Sequence, residues 1–165
     1  MIEGGIFRRG MRAYFIPFTA GILLFASAFL PWVIVNGQAM KGVPDVAGLW
    51  IAGLGAAAAL LAILSLITRK NSRHPLLLVG LVALGILVLA WRILPRAAGE
   101  HALTVAQALA IVENAPMTAA PTSDVGNGIY IGLVAASVLV AFGLTIVIKR
   151  VAKPYVPEDP NDDVD

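Results

Sequence analysis

The sequence predicts an all-α integral membrane protein. It reads as a four-helix bundle with both ends cytoplasmic and a short external amphipathic helix between the third and fourth spans. Three observations predict this. Hydrophobic residues make up 59% of the 165 and charged residues only 13%, where soluble domains carry about 25% charged residues. The apolar residues gather into four runs, each near the ~20 needed to cross a hydrocarbon layer as a helix. The basic residues cluster at the ends of those runs. With a mean hydropathy of +0.85, a water-soluble fold of this size has too little interior to hide its apolar surface.

The first run is Tyr14 to Val35. Arg8, Arg9 and Arg12 precede it, and Ala26-Ser27-Ala28 has the small-x-small pattern of a signal-peptide cleavage site. The apolar stretch continues through Phe29, Leu30, Trp32 and Val35, which favours an anchor over a cleaved leader. The next connection, Asn36 to Asp45, holds the turn formers Gly37, Gly42 and Pro44. The second run is Val46 to Ile67 and the third is Pro75 to Leu94, joined by the short basic turn Thr68 to His74. So short a turn makes the second and third helices antiparallel neighbours. The fourth run is Gly128 to Ile148.

None of the four runs contains Asp or Glu, and Arg92 is the only charge inside one. They are apolar all round, whereas barrel strands alternate apolar and polar over about 10 residues. The positive-inside rule fixes their direction. Arg8, Arg9, Arg12, Arg69, Lys70, Arg73, Lys149, Arg150 and Lys153 fall on one side, and Lys41, Arg92 and Arg96 on the other. Every boundary agrees with an N-in, C-in arrangement. Residues 1–150 then form the four-span domain and 151–165 a cytoplasmic tail, whose Pro154–Asp165 stretch is acidic, proline-rich and too polar for a core.

The external segment runs from Pro95 to Asn127. Thr104-Val-Ala-Gln107 fits a capping box that starts a helix. Val105, Ala106, Leu109, Ala110 and Val112 then recur at helical spacing. The apolar face of Val105, Leu109 and Val112 is expected to lie on the membrane surface or on a partner.

In the fourth run Gly128, Gly132 and Ala136 share one face at four-residue spacing, which allows close helix contact within the bundle or with another protein. Ala52, Ala56 and Ala59-Leu60, beside Gly55, form a similar face on the second run, and the two faces could pack together. Trp32, Trp50, Trp91 and Tyr130 sit near the outer ends of their runs as interface anchors. Arg92 is placed to snorkel to the same interface.

Catalytic chemistry is not visible. There is no cysteine, which removes thiolate catalysis and cysteine–metal sites. His74 and His101 fall on opposite sides of the predicted membrane, so one metal cannot bind both within one chain. Ser72-Arg73-His74 has no acidic neighbour in sequence to orient a base. An external enzyme site would need Glu100, His101, Glu113 and Asp124 to converge. The basic residues are clustered at helix ends and form no stripe for nucleic acid. No cofactor is expected. A proton-coupled transporter needs an acid or histidine within a span, and the runs hold neither; their serines and threonines are Thr19, Ser27, Ser65, Ser137 and Thr145.

Phe29-Leu30-Pro31-Trp32-Val33, a glycine-containing outer turn and Gly126-Asn-Gly128-Ile-Tyr130 together resemble small bacterial four-helix inner-membrane proteins, of which the tryptophan-operon-associated membrane proteins are one branch. That resemblance covers most of residues 14 to 150 and implies an inner-membrane location and a tetraspan topology. The expected function is that of a structural or accessory subunit of a larger membrane complex, of respiratory or photosynthetic type. Its partners are then the lipid bilayer and other subunits or further copies of itself. The alternative is a small transport or lipid-handling protein with a cavity between its helices.

Overall fold

The computed structural model describes residues 13–68, 73–114, 116 and 120–151, the last six as backbone alone. Its helices are α1 (Phe15–Ser27), α2 (Val46–Thr68), α3 (Arg73–Glu113) and α4 (Asn127–Val151). Three short strands, β1 (Pro31–Val35), β2 (Gln38–Lys41) and β3 (Ser123–Val125), form one antiparallel sheet in the order β2-β1-β3. The chain is therefore mostly helical but not all-α.

Helices α2, α3 and α4 are long and apolar enough to cross a membrane; α1, at 13 residues, is apolar but shorter. Each helix packs on its two neighbours in a ring, α1 on α2 and α4, and α3 on α2 and α4. Tyr14, just before α1, meets Phe142 of α4 edge-on with ring centroids 5.3 Å apart. Arg73, opening α3, lies 5.5 Å over the same ring. These contacts gather the start of α1, the start of α3 and the later part of α4 at one end of the bundle. The sheet closes the other end.

Glycine sets the helix spacing. A Cβ on Gly21 would lie 2.6 Å from the Ala59 backbone nitrogen, and one on Gly55 would lie 2.7 Å from Phe25 Cα. Backbone thus touches backbone between α1 and α2, a geometry open only to residues without a side chain. The Gly55 face of α2 accordingly packs on α1, not on the small-residue face of α4 as the sequence suggested. Between α3 and α4, Gly143 presses on Leu77 and Gly80 on Leu139. Ala58, Ala62, Ala83, Leu87, Ala136 and Leu139 fill the interior with no exposure.

Three boundaries differ from expectation. The first run does not stay helical to Val35, because α1 stops at Ser27 and Pro31–Val35 becomes a strand. The separate external helix does not exist. Residues 95–113 continue α3 without a break, with Pro95 inside it. An interior proline disfavours a helix by about 3 kcal/mol, but strong helix formers surround it, from Arg96-Ala97-Ala98 to the alanine-rich stretch up to Ala110. Thr104 is consequently mid-helix and caps nothing; its hydroxyl donates to the Glu100 carbonyl at 2.9 Å.

Arg8, Arg9, Arg12, Arg69, Lys70, Lys153 and the acidic tail lie outside the described residues, and Lys149 and Arg150 are described as backbone only.

Candidate functional site: the sheet cap and the projecting helix

A short helix ends with carbonyl groups that lack partners, and the cap at the sheet end answers this for α1 group by group. The Ala28 N–H donates to Phe25 O, the Phe29 N–H to Ala26 O and the Leu30 N–H to Ser27 O. The indole Nε1–H of Trp32 also donates to Ser27 O, at 2.8 Å. The Val43 N–H donates to Ala28 O at 2.8 Å, the Gly42 N–H to Leu30 O at 3.3 Å and the Gly126 N–H to Trp32 O at 2.8 Å.

Trp32 is the centre of this arrangement. The pairing of β1 with β2 shifts register between Pro31 and Val33, and such a bulge re-aims a side chain. The indole turns into the bundle and is only 2% exposed. It is clasped by two glycines: a Cβ on Gly42 would lie 2.5 Å from Trp32 Cε2, and one on Gly128 would lie 2.8 Å from Cδ1. Trp32 is therefore a core residue and not an interface anchor. Trp50, Trp91, Tyr130 and Arg92 are all exposed near the same end of the bundle.

The hairpin is turned by Asn36 and Gly37, with φ of 49° and 78°. Positive φ at both central residues is the two-residue hairpin geometry that Asn-Gly favours. Asn36 also holds β3: its N–H donates to Thr122 O, and its Oδ1 accepts from the Thr122 N–H, both at 3.0 Å. The Ser123 hydroxyl then donates to Pro95 O at 2.8 Å, joining the sheet to α3 where that helix leaves the bundle.

Gly128, Gly132 and Ala136 are buried inside this chain. Gly128 faces Trp32 and Ser27, and Gly132 faces Ser27 and Leu87. The small-residue face of α4 is thus occupied by α1, β1 and α3. Val105, Leu109 and Val112 lie on the projecting half of α3 and are exposed, Val112 to 81%.

Two grooves open at the cap end. One, of about 410 Å³, lies between α3 and β3 and is lined by Pro95, Arg96, Gly99, Glu100, Leu103, Ala120, Pro121 and Ser123. The other, of about 440 Å³, runs along α2 over Val46, Leu49, Trp50, Gly53 and Leu54 and is almost wholly apolar.

Glu100, His101, Glu113 and Asp124 do not converge. Thirteen residues of helix, about 20 Å of rise, separate Glu100 from Glu113, and Asp124 is an exposed residue of β3 paired with Ile34. Among the described residues no group of three His, Asp or Glu side chains is placed to hold a metal ion. Comparison with protein-family models, with curated proteins and with solved structures finds no match.

Proposed function

We propose that the protein is a non-catalytic integral membrane protein that crosses the bilayer four times with both termini cytoplasmic. In this reading it serves as a structural or accessory subunit of a larger membrane complex. The observation that carries the reading is the length of α3. Its 41 residues extend about 60 Å, twice the ~30 Å hydrocarbon thickness. One half suffices to span, so the other half stands clear of the bilayer.

The projecting half keeps the pattern of the packed half. Leu76, Gly80, Ala83, Leu87 and Ala90 are the buried residues of α3, at alternating steps of four and three. The 3.6-residue helical repeat carries that face on through Leu94, Ala98, His101, Val105, Ala108 and Val112, with two steps of four in succession around Leu94. A seam that packs against α4 within the bundle thus runs on past it, and there Val105, Leu109 and Val112 are uncovered. Helix faces of this kind are covered in water by another helix or groove.

Membrane insertion draws support from the outward-facing residues of the spans. Leu60, Leu64, Leu78, Leu89 and Val134 are all exposed, in helices where lipid is the solvent that tolerates them. The orientation rests on the basic residues, of which Arg73 stands at the Phe142 end of the bundle. A bacterial inner membrane is the location the family resemblance suggests. The transport alternative gains nothing from the backbone contacts at Gly21–Ala59 and Gly143–Leu77, which bring helices together where a cavity would hold them apart.

The test places a photocrosslinker at Leu109 and, as control, at lipid-facing Leu64, followed by purification in mild detergent. A discrete adduct from Leu109 and none from Leu64 is expected, its mass distinguishing a foreign subunit from a second copy. With the crosslinker kept at position 109, the paired substitutions Val105→Asp and Val112→Asp should abolish the adduct and leave the melting of the bundle unchanged. A chain that migrates alone with no adduct at Leu109 ends the subunit reading. Recovery in the aqueous phase without detergent ends the membrane reading.

A further inference from the structure

We infer that the groove between α3 and β3 binds the phosphoethanolamine headgroup of an outer-leaflet phospholipid. The inference rests on the membrane reading above and adds a ligand to it.

The depth of the groove follows from the helices. Trp91 lies four residues before Pro95, Trp50 four residues into α2 and Tyr130 three residues into α4. All three exposed rings therefore sit about 5–6 Å inside the cap end, the level at which interfacial aromatics gather. Counting on from Leu94, the last residue of the apolar run, Arg96 rises about 3 Å and Glu100 about 9 Å. The headgroup layer is about 5–8 Å deep on each side. The groove is level with lipid phosphates and amines.

Its polar groups come in the matching order. Arg96, nearer the hydrocarbon, offers a fork of donors suited to a phosphodiester, with Arg92 one turn below it. Glu100, one turn farther out, offers carboxylate oxygens as acceptors. Ser123 has committed its hydroxyl proton to Pro95 O, so its oxygen has only lone pairs left to offer. Among the described residues Arg96 and Glu100 form no ion pair with each other, and both remain open to a ligand. Asp124, next along β3, points to the opposite face of the sheet.

One cationic donor below and two acceptors above fit a group that is anionic next to the glycerol and carries N–H donors at its tip. Phosphoethanolamine has that polarity. Phosphocholine lacks the N–H donors, and phosphoglycerol lacks the cation. Pro95, Leu103 and Pro121 supply apolar walls for the ethylene bridge between the two charges.

The test uses the full chain in detergent micelles, with phosphatidylethanolamine, phosphatidylcholine and phosphatidylglycerol of identical acyl chains competing, and retained lipid read by native mass spectrometry. Phosphatidylethanolamine should be retained roughly five-fold over phosphatidylcholine, the size of one hydrogen bond that the quaternary ammonium cannot donate. Glu100→Gln should equalise the two, Arg96→Gln should lower retention of every phospholipid, and helix content by circular dichroism should stay constant in both variants. Equal retention by the wild-type chain, or a preference that survives Glu100→Gln, overturns the inference. So does displacement of bound lipid by an equal concentration of soluble glycerophosphoethanolamine, which would assign the groove to a water-borne ligand. These failures occur with the chain still resistant to alkaline extraction from vesicles, whereas failure of the membrane reading releases it.

Discussion

Alanine substitution at four helical glycines separates close packing from helix propensity within one molecule. At Gly21 the added methyl would sit 2.6 Å from Ala59 N and 3.0 Å from Gly55 O, and at Gly55 it would press on the Phe25 backbone and lie 2.9 Å from Gly21 O. Carbon contacts are optimal near 3.5–4.0 Å, and the atoms in the way are backbone, which cannot rotate aside. The two helices must part by about 1 Å. Overpacking of this kind costs about 1–3 kcal/mol, offset by up to ~1 kcal/mol because alanine is the better helix former. A net loss of about 1–2 kcal/mol is expected for Gly21→Ala and for Gly55→Ala.

Gly53 and Gly85 meet nothing within 4 Å of the same methyl. There only propensity acts, and each substitution should stabilise the protein by about 0.5–1 kcal/mol. Reversible unfolding in mixed micelles of rising SDS fraction, followed by far-ultraviolet circular dichroism, measures all four. Gly21 and Gly55 share one contact, so the double variant should lose less than the sum of the singles once the helices have parted. Equal effects at Gly53 and Gly55, or strict additivity of Gly21 and Gly55, would refute the account of α1–α2 packing.

Two further substitutions probe the cap. Trp32→Phe keeps an aromatic ring but removes the shorter of two hydrogen bonds to Ser27 O, the other coming from the Leu30 N–H at 3.3 Å, and should lower stability by about 0.5–1.5 kcal/mol in the same unfolding assay; no change would mean that the Leu30 N–H alone satisfies this carbonyl. Gly37→Val puts a β-branched residue at a φ of 78° and should cost about 1–2 kcal/mol, with faster amide exchange confined to the β1–β2 hairpin, whereas the open space around Gly37 rules out a steric loss elsewhere.

The helices could be read because their signal is simple. A run of some 20 apolar residues has few folded states open to it, and α2 and α4 begin within a residue of the expected positions. The losses have local causes. Phe29 to Val35 is as apolar as the helix before it, so composition alone merges β1 with α1. The β-branched run Val33-Ile34-Val35 followed by Asn36-Gly37 was the hairpin signal that could have divided them. The third run was bounded at Leu94, where the apolar stretch gives way to Pro95 and Arg96, yet the helix formers that follow carry α3 on to Glu113. Trp32 looked like its exposed counterparts, and only the bulge in β1 and the glycines at 42 and 128, distant in sequence, turn it inward. Of the proposed contact surfaces, the Val105–Leu109–Val112 stripe was legible. The groove was not, since Ser123 reaches Pro95 only through the fold.

The mismatch between α1 and α3 gives the cap its purpose. With 13 residues α1 rises about 20 Å, while the apolar part of α3, across the bundle from it, rises about 30 Å, so α1 ends about 10 Å short of that helix. In a bundle that spans a membrane as proposed, backbone carbonyls released at that level need partners from the protein, because lipid supplies none. The Ala28, Phe29 and Leu30 N–H groups, the Trp32 indole and the Val43 N–H supply them. The sheet then grips α3 at Pro95 through Ser123 and is itself pinned by Asn36 and Thr122. A projecting helix held at its base presents its stripe at a fixed height and angle, and less freedom is lost when something docks on it. If the cap serves that end, loosening it with Asn36→Ala should weaken capture at Leu109 more than it weakens the bundle, although Asn36 and Leu109 share no contact.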